Sequence, residues 1–236
     1  MASAAGCGAS SEALAFLGLK LASKKNNPPL RTIVYVDGFN FYYGEVRGTP
    51  WKWLDPAALF SKVLDPQKNL LVAIKYYTAR VQPTPNDPTV HVRQDTYLRA
   101  LAAHCPLVEL HYGHFLRHRV RMEHANPPPA SVDVWKNEEK GSDVNLALHV
   151  VNDAWRNAYD CAVIVSNDSD LAEALVLVSQ HNKTIGLVTP GAPGRKTSLQ
   201  LLQHADFTRR IRTWMLQNSQ LPNPIPGTTI HKPATW

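Results

Sequence analysis

Acidic residues follow two apolar runs of this chain at the point where each run ends. Asp37 comes directly after the β-branched run at 32–36, and Asp168 and Asp170 follow the apolar run at 161–166. Such runs are typical of buried parallel strands, and in open α/β sheets ligands bind outside the carboxyl ends of the strands. We therefore expect these carboxylates to share one edge of a sheet, where they would suit the binding of a cation.

A third acidic segment, Lys140 to Asp143, opens the helical pattern that precedes the second of these strands. Neighbouring carboxylates repel one another, and one of them would be driven to take up a proton. A divalent cation removes that conflict, and Mg²⁺ and Mn²⁺ prefer oxygen ligands. Each acid also has a local explanation, as a helix cap for Asp168 or a first-turn acid for Asp143 and Asp170. The conjunction of three segments favours a cation site.

The patterns around these segments alternate between strand and helix. Strands are predicted over 32–36, 70–79, 108–116, 161–166 and 184–188, and helices over 55–64, 87–104, 141–157, 168–181, 198–202 and 207–216. One stripe of the helix over 141–157 is apolar and consists of Val144, Leu148, Val151 and Trp155. The alternation predicts an α/β sandwich around a central, mainly parallel sheet.

The composition bounds the class of protein. Of the 236 residues, 44% are hydrophobic, which is enough to bury a core. The chain has 25 Lys and Arg against 19 Asp and Glu, and its net charge of +6 favours a polyanionic partner such as nucleic acid. Its apolar stretches are too short to span a bilayer. Three widely spaced cysteines predict no disulfide framework and favour a reducing cytoplasm.

Three parts are predicted along the chain. Residues 1–29 are an N-terminal extension made of a helix and a linker, and the positive charges follow its apolar run, unlike those of a signal peptide. Residues 30–216 form the α/β domain, and residues 217–236 are a proline-rich C-terminal tail. The chain shows no P-loop, which argues against an NTPase.

A basic stretch lies before the Lys140 segment. Arg117, Arg119 and Arg121 alternate with other residues, as they would in a strand or hairpin that displays its arginines on one side. Such a hairpin would follow a nucleic-acid backbone through salt-dependent contacts, although a solvated polar hairpin explains the pattern equally well. The aromatic residues that follow Asp37 either stack unpaired bases or pack beneath a loop: Tyr42, Tyr43, Trp51 and Trp53.

Taken together, the three acidic segments resemble the motifs of one family. Their sequences are VDGFN at 36–40, EKGSDVNLA at 139–147 and VSNDSDL at 165–171. In this order they are similar to those of the NYN domain family, which includes the LabA-like proteins and is a branch of the PIN-like ribonucleases. The resemblance covers about residues 32–188 and implies a PIN-like three-layer sandwich.

The resemblance implies an Mg²⁺- or Mn²⁺-dependent ribonuclease that hydrolyses the phosphodiester bonds of RNA, including single-stranded RNA. Asp37, Asp143 and Asp168 would be the catalytic acids and would hold the metal, with Asp170 as a further metal residue. The residues expected to contact the substrate are Asn40, Lys140, Asn167, Arg117, Arg119 and Arg121.

One residue departs from the family pattern. Many members carry another Asp where this chain has His149, two helical turns into the helix that Asp143 opens. The departure leaves open an RNA-binding regulatory protein of the same fold with little or no catalysis. Because PIN-like domains commonly pair, a homodimer is a further expectation.

Overall fold

The structure is a computed structural model that describes residues 28–191, 194 and 196–236, so the predicted N-terminal helix lies outside the described residues. Its strands are β1 (Leu30–Asp37), β2 (Asn69–Thr78), β3 (Val108–Tyr112), β4 (His114–Glu123), β5 (Ser131–Lys140), β6 (Cys161–Val165), β7 (Thr184–Val188) and β8 (Phe207–Arg209). Six of them form one sheet in the order β3-β2-β1-β6-β7-β8, and every neighbouring pair is parallel. The predicted α/β fold with a parallel central sheet is confirmed.

Helices connect the strands and cover both faces of the sheet. They are α1 (Gly38–Phe41), which continues into a π-helical turn (Tyr42–Val46), α2 (Pro56–Val63), α3 (Val90–His104), α4 (Ser142–Trp155), α5 (Ala172–Gln180), which follows a 3-10 turn (Ser169–Leu171), α6 (Leu199–Leu202) and α7 (Thr213–Gln217). Among the described residues, no helix combines the length and the apolar character that a membrane crossing requires.

The apolar composition of β1 places it at the centre of the sandwich. Alternate residues of β1 point to opposite faces, so Tyr35 packs with α4 and α5 in one core, whereas Val34 and Val36 pack with α2 in the other. The sheet is therefore the middle of three layers. The strand order reverses between β1 and β6. In open α/β sheets, such a reversal is where a crevice for ligands forms, at the carboxyl ends of the two strands.

Three of the four residues in the apolar stripe of α4 do not face the core, contrary to what the pattern indicates, and the fourth, Val151, packs against the core while partly buried. Val144, Leu148 and Trp155 are 55%, 61% and 77% exposed. The face that packs against the sheet is instead formed by Leu146, Val150, Asp153 and Ala154. A buried acid and a small residue weaken the apolar signal of that face, so in the sequence the outward face is the more hydrophobic one.

Two predicted boundaries change in the structure. The predicted helix over 207–216 is divided into β8, which extends the sheet beside β7, and the short helix α7. The predicted strand over 108–116 breaks at Gly113, where a Cβ atom would lie only 2.4 Å from the Glu139 side chain. After this break the chain leaves the sheet and forms the antiparallel hairpin of β4 and β5, which confirms the predicted basic hairpin.

The segment predicted as a proline-rich tail, 217–236, packs onto the domain. The Leu221 amide donates to the Trp53 carbonyl over 2.8 Å, and the Trp53 indole donates to the Pro222 carbonyl over 3.1 Å. Trp236 then packs edge-on against Trp53 and Tyr97, with ring centroids 5.8 and 5.7 Å away. The end of the described chain thereby becomes part of a third apolar cluster beside α3.

Candidate active site

Asp37 stands at the carboxyl end of β1, on one side of the crevice. Its Oδ1 accepts a hydrogen bond from the Asn40 amide over 2.9 Å, which caps α1, and its Oδ2 accepts from the Ser166 hydroxyl over 3.0 Å. The turn needs glycine at the next position, because a Cβ atom on Gly38 would lie 2.5 Å from the Tyr77 carbonyl oxygen. The carboxylate is thus held from two sides by the local fold.

Asp168 stands on the other side of the crevice, just after β6. Its amide donates to Ser166 Oγ over 3.1 Å, and its Oδ1 accepts from the Asp170 amide over 3.1 Å. The same serine hydroxyl therefore contacts both acidic segments, donating to Asp37 and accepting from the backbone of Asp168. The predicted meeting of the first and third motifs at one sheet edge is observed for these two segments.

The environment of Asp37 disfavours its charge. Burial raises the pKa of this carboxyl above its ordinary value, and the nearby negative charge of Asp168 raises it further, against the lowering effect of the hydrogen bonds from Asn40 and Ser166. A buried carboxylate next to a second acid is the arrangement that a bound cation stabilises.

The oxygen donors around Asp37 fit a hard divalent cation. Besides the carboxylates of Asp37 and Asp168, the side-chain oxygen of Asn40 is buried and accepts no hydrogen bond from any residue that the structure describes. Carboxylate and amide oxygens are the ligands that Mg²⁺ and Mn²⁺ prefer. An acceptor without a partner is costly in a protein interior, so a cation that used it would also relieve that cost.

The other predicted acids lie further out. Asp143 is exposed in the first turn of α4, where its Oδ1 accepts from the Val144 amide, and Asp170 is exposed in the 3-10 turn. Within 28–191, 194 and 196–236, no three or more His, Cys, Asp or Glu side chains form a group able to hold a metal. The structure thus brings together Asp37 and Asp168, and the metal-ligand role predicted for Asp143 and Asp170 stays a prediction.

Two predicted substrate-binding residues are engaged in the fold. Asn167 donates to the Lys196 carbonyl over 3.2 Å and accepts from the Ser198 amide over 2.8 Å, so it fastens the loop after β7 to the end of β6. Lys140 ends β5 and forms an ion pair with Glu138 at 3.2 Å. Neither contact places the side chain against Asp37.

The predicted arginines share one face of the β4–β5 hairpin. Arg117, Arg119 and Arg121 alternate along β4, and the cross-strand register puts Trp135 on the same face. The Arg117 guanidinium lies over the Trp135 ring at 4.9 Å, whereas Arg119 is paired with Asp133 at 2.6 Å. At the base of the hairpin, Phe115 packs edge-on against Phe39, two residues after Asp37, with centroids 5.6 Å apart. The basic face therefore begins next to the acid pair.

A polar network that the sequence did not reveal lies beneath this edge, between α4 and the sheet. Asp153 accepts from the Tyr35 hydroxyl and from the Lys75 ammonium, each over 2.7 Å. One turn earlier, His149 Nδ1 lies 2.9 Å from the Tyr77 hydroxyl. The sequence signals were an acid inside an amphipathic helix and a lysine inside a strand, but their pairing requires the tertiary fold.

The departure at His149 thus has a local structural role. The His149 ring also packs edge-on against His111, with centroids 4.6 Å apart, and the His111 ring is stacked on Tyr77. Where a further acid would add negative charge near the crevice, this chain has a histidine that is held by a tyrosine. Asp37 and Asp168 are therefore the acids that the structure brings together at this edge.

A cavity of about 730 Å³ opens beside the acid pair, on the side of α3. Gly38 and Phe39, the two residues after Asp37, line it together with Tyr42, Tyr76 and Tyr97. Of the aromatic residues that follow Asp37 in the sequence, Tyr42 and Tyr43 border this cavity, whereas Trp53 is buried in the core.

Comparisons with known proteins agree with the motifs. The NYN domain family matches residues 31–209. The chain is similar to the 6-hydroxy-3-succinoylpyridine 3-monooxygenase HspA of Pseudomonas putida, with 37% identity over an alignment of length 246 that covers 90% of this chain and 77% of that protein. It is also similar in structure to a protein of unknown function from Vibrio parahaemolyticus, with a TM-score of 0.47 and 20% identity over 83% of this chain and 98% of the other. The family match spans most of the described domain, so the chain belongs to the NYN domain family.

Proposed function

We propose that the protein is a metal-dependent phosphodiesterase that cleaves RNA at the crevice between β1 and β6. The observation that supports this most is the pair of Asp37 and Asp168, joined through Ser166 Oγ where the strand order reverses. A nuclease-like fold is what the NYN family provides, and oxygen donors at this crevice suit Mg²⁺ or Mn²⁺.

In this proposal, separate residues bind the cation and orient the attacking water. Asp37 and Asp168 would hold the cation, with the unpartnered Asn40 oxygen as a third donor. When bound, the cation supplies charge neutralisation at the scissile phosphate and a water of lowered pKa. The Ser166 hydrogen bond lowers the pKa of Asp37 and orients its carboxylate. Asp143, exposed at the start of α4, is the candidate to orient the attacking water.

The hairpin supplies the contacts to the polyanion in the same proposal. Arg117 and Arg121 have no carboxylate partner among the described residues, so both guanidinium groups can bind phosphates. Trp135 is 64% exposed, so its ring can stack on an unpaired base. Single-stranded RNA fits this combination of arginine and an exposed indole better than a duplex does, because its bases are free to stack.

Cleavage of end-labelled single-stranded RNA by the purified protein tests this function. With Mn²⁺ or Mg²⁺ we expect products, and with EDTA or in the Asp37→Asn variant we expect none. RNA that binds without being cut, in every metal tested, would instead identify a regulatory RNA-binding protein of the same fold.

A second candidate is oxidation of a small aromatic acid, which the 37% identity to a hydroxypyridine monooxygenase favours. The cavity beside Asp37 has aromatic walls and a volume that would accommodate a substituted pyridine. Such a reaction would replace a ring C–H bond with C–OH, using one oxygen atom of O₂, and would reduce the other oxygen atom to water. Its two electrons would come from a reduced nicotinamide through a flavin or a redox-active metal.

The two functions differ in their co-reactants and can be separated in one set of assays. Consumption of O₂ and NADH that depends on 6-hydroxy-3-succinoylpyridine would support the second candidate. RNA cleavage that needs a divalent cation and neither O₂ nor NADH would support the first. Two variants show whether a contaminant causes the activity. Asp37→Asn should lose cleavage and Tyr42→Leu should lose oxidation if the protein itself is responsible.

A further inference from the structure

The cavity beside the acid pair is walled by flat rings. Tyr76 lines it next to Gly38, Tyr97 of α3 lines it packed edge-on against Trp236, and Tyr42 is a further lining residue. Tyr42 and Tyr43 meet edge-on with centroids 5.3 Å apart, which fixes the orientation of both rings. A cavity lined by aromatic rings favours a planar ligand that can stack on them.

The charges at this cavity are mostly positive. Arg47, Lys52 and Arg93 line it, and among the residues that the structure describes, Asp87 is the one acidic side chain in its lining. Asp87 is already paired with Arg93, while Arg47 and Lys52 make no ion pair with a carboxylate in the described part of the chain. Arg47 lies over the Tyr43 ring at 5.0 Å, so this cation sits at the rim of the aromatic wall.

One donor within the wall has no acceptor. Arg93 is largely buried, with 17% of its side chain exposed, and its Nε–H donates to no described residue, although two of its other nitrogens bond Asp87 and Thr89. The Nε atom is covered by protein, so Arg47 and Lys52 are the cations that a ligand in the cavity can contact.

We propose that this cavity is a binding site for a planar aromatic ring that carries an anionic group. The ring would stack among Tyr42, Tyr76 and Tyr97, and its anion would face Lys52 and Arg47. Two sources offer this chemistry, a nucleotide of an RNA strand and a free aromatic carboxylic acid. The site is defined by residues other than Asp37 and Asp168, so it does not depend on cation binding or on cleavage at the crevice.

Isothermal titration with four probes tests the proposal and separates the sources. The full chain in EDTA is titrated with AMP, with 6-hydroxynicotinate, with adenosine as a ring without an anion, and with inorganic phosphate as an anion without a ring. We expect saturable binding of AMP or of 6-hydroxynicotinate, and binding at least about tenfold weaker for adenosine and phosphate. Preference for AMP identifies the nucleotide source, and preference for the carboxylate identifies the free acid.

Variants assign the binding to this cavity. Lys52→Gln and Tyr42→Leu are each expected to weaken binding of the preferred probe about tenfold, because they remove a cation and a stacking ring. Arg99→Gln, on the exposed outer side of α3 and outside the cavity, is the matched control and should bind like the wild type. Asp37→Asn should also bind normally, so loss of cleavage and loss of this site are distinguishable. Absence of binding by both anionic rings, or equal binding by Lys52→Gln and the wild type, would overturn the proposal.

Discussion

The Ser166 hydroxyl donates a hydrogen bond to Asp37 Oδ2 over 3.0 Å, across the two central strands where their order reverses. Ser166 is fully buried, and its oxygen also accepts from the Asp168 amide. One hydroxyl therefore sets the position of the first-strand acid relative to the segment that carries the second acid.

Removing this hydroxyl should change the pH dependence of cleavage. The hydrogen bond from Ser166 lowers the pKa of Asp37, so Ser166→Ala should raise that pKa further above its ordinary value. We expect the acidic limb of the pH–rate profile to move to higher pH. Ser169→Ala is the matched control, since the Ser169 hydroxyl bonds no described residue, and an unshifted limb in Ser166→Ala would contradict the assignment.

Neutralising Asp37 should stabilise the metal-free protein. Because its pKa is raised in the folded state, the folded state holds the proton more tightly than the unfolded state does. The resulting stability is present below the unfolded-state pKa and is lost as pH rises through the folded-state pKa. At pH 7.5 in EDTA, Asp37→Asn should therefore raise the Tm by roughly 2 °C, measured by calorimetry.

Cation binding should reverse the difference in Tm between the wild type and Asp37→Asn. Added Mn²⁺ stabilises only a state that binds it, so it should raise the Tm of the wild type and leave that of Asp37→Asn unchanged. Equal shifts in both proteins would mean that the cation binds elsewhere.

The buried ion pair under α4 should matter more to stability than any exposed acid of the same helix. Asp153→Ala leaves the Lys75 ammonium, 14% exposed, without its closest carboxylate, and removes the acceptor of Tyr35. We expect a loss of about 3–5 kcal/mol in the free energy of unfolding, measured by urea titration. Asp143→Ala, on the exposed first turn of the same helix, should change it by less than about 0.5 kcal/mol. Similar losses in both variants would refute the role of the network.

Two tryptophans test the contribution of the C-terminal segment. Trp236 packs on Trp53 and Tyr97, whereas Trp135 is exposed on the hairpin. Trp236→Ala should lower the free energy of unfolding by about 2 kcal/mol, and the same substitution at Trp135 should have almost no effect. If the two variants unfold at the same urea concentration, the segment adds no stability.

The hairpin arginines should set the salt dependence of RNA binding. Each phosphate contact that is removed should lower the slope of log affinity against log salt by about 0.7 for a single strand. The double variant of Arg117→Gln and Arg121→Gln should therefore bind more weakly with a shallower slope. A double variant of Arg80→Gln and Arg99→Gln, both exposed near α3, is the charge-matched control. Fluorescence anisotropy of a labelled oligonucleotide at several salt concentrations measures both.

The sequence predicted the parts of the fold that depend on local patterns. Apolar runs in the sequence predicted the buried strands that end at Asp37 and before Asp168. The alternation of these strands with helices predicted their parallel arrangement. The basic hairpin was also visible, because its arginines alternate with the period of a strand.

Other features depended on partners far away in the chain. Asp153 lies on the buried face of α4 only because Lys75, in β2, neutralises it, and no local pattern contains that pairing. The same holds for Trp236, whose packing on Trp53 turns a proline-rich segment into part of the core. The Ser166 bridge was equally hidden, since a serine at the end of a strand has no distinctive local signal.

The most direct test of the account is single-turnover cleavage of labelled single-stranded RNA in Mn²⁺ by five proteins: the wild type, Asp37→Asn, Asp168→Asn, the double variant, and Asp170→Asn as an exposed neighbour. If Asp37 and Asp168 act as one site, each single variant should lose at least about a hundredfold in rate, and the double variant should be no slower than either. Asp170→Asn should keep most of the activity. Wild-type cleavage rates in Asp37→Asn and Asp168→Asn would contradict the central claim.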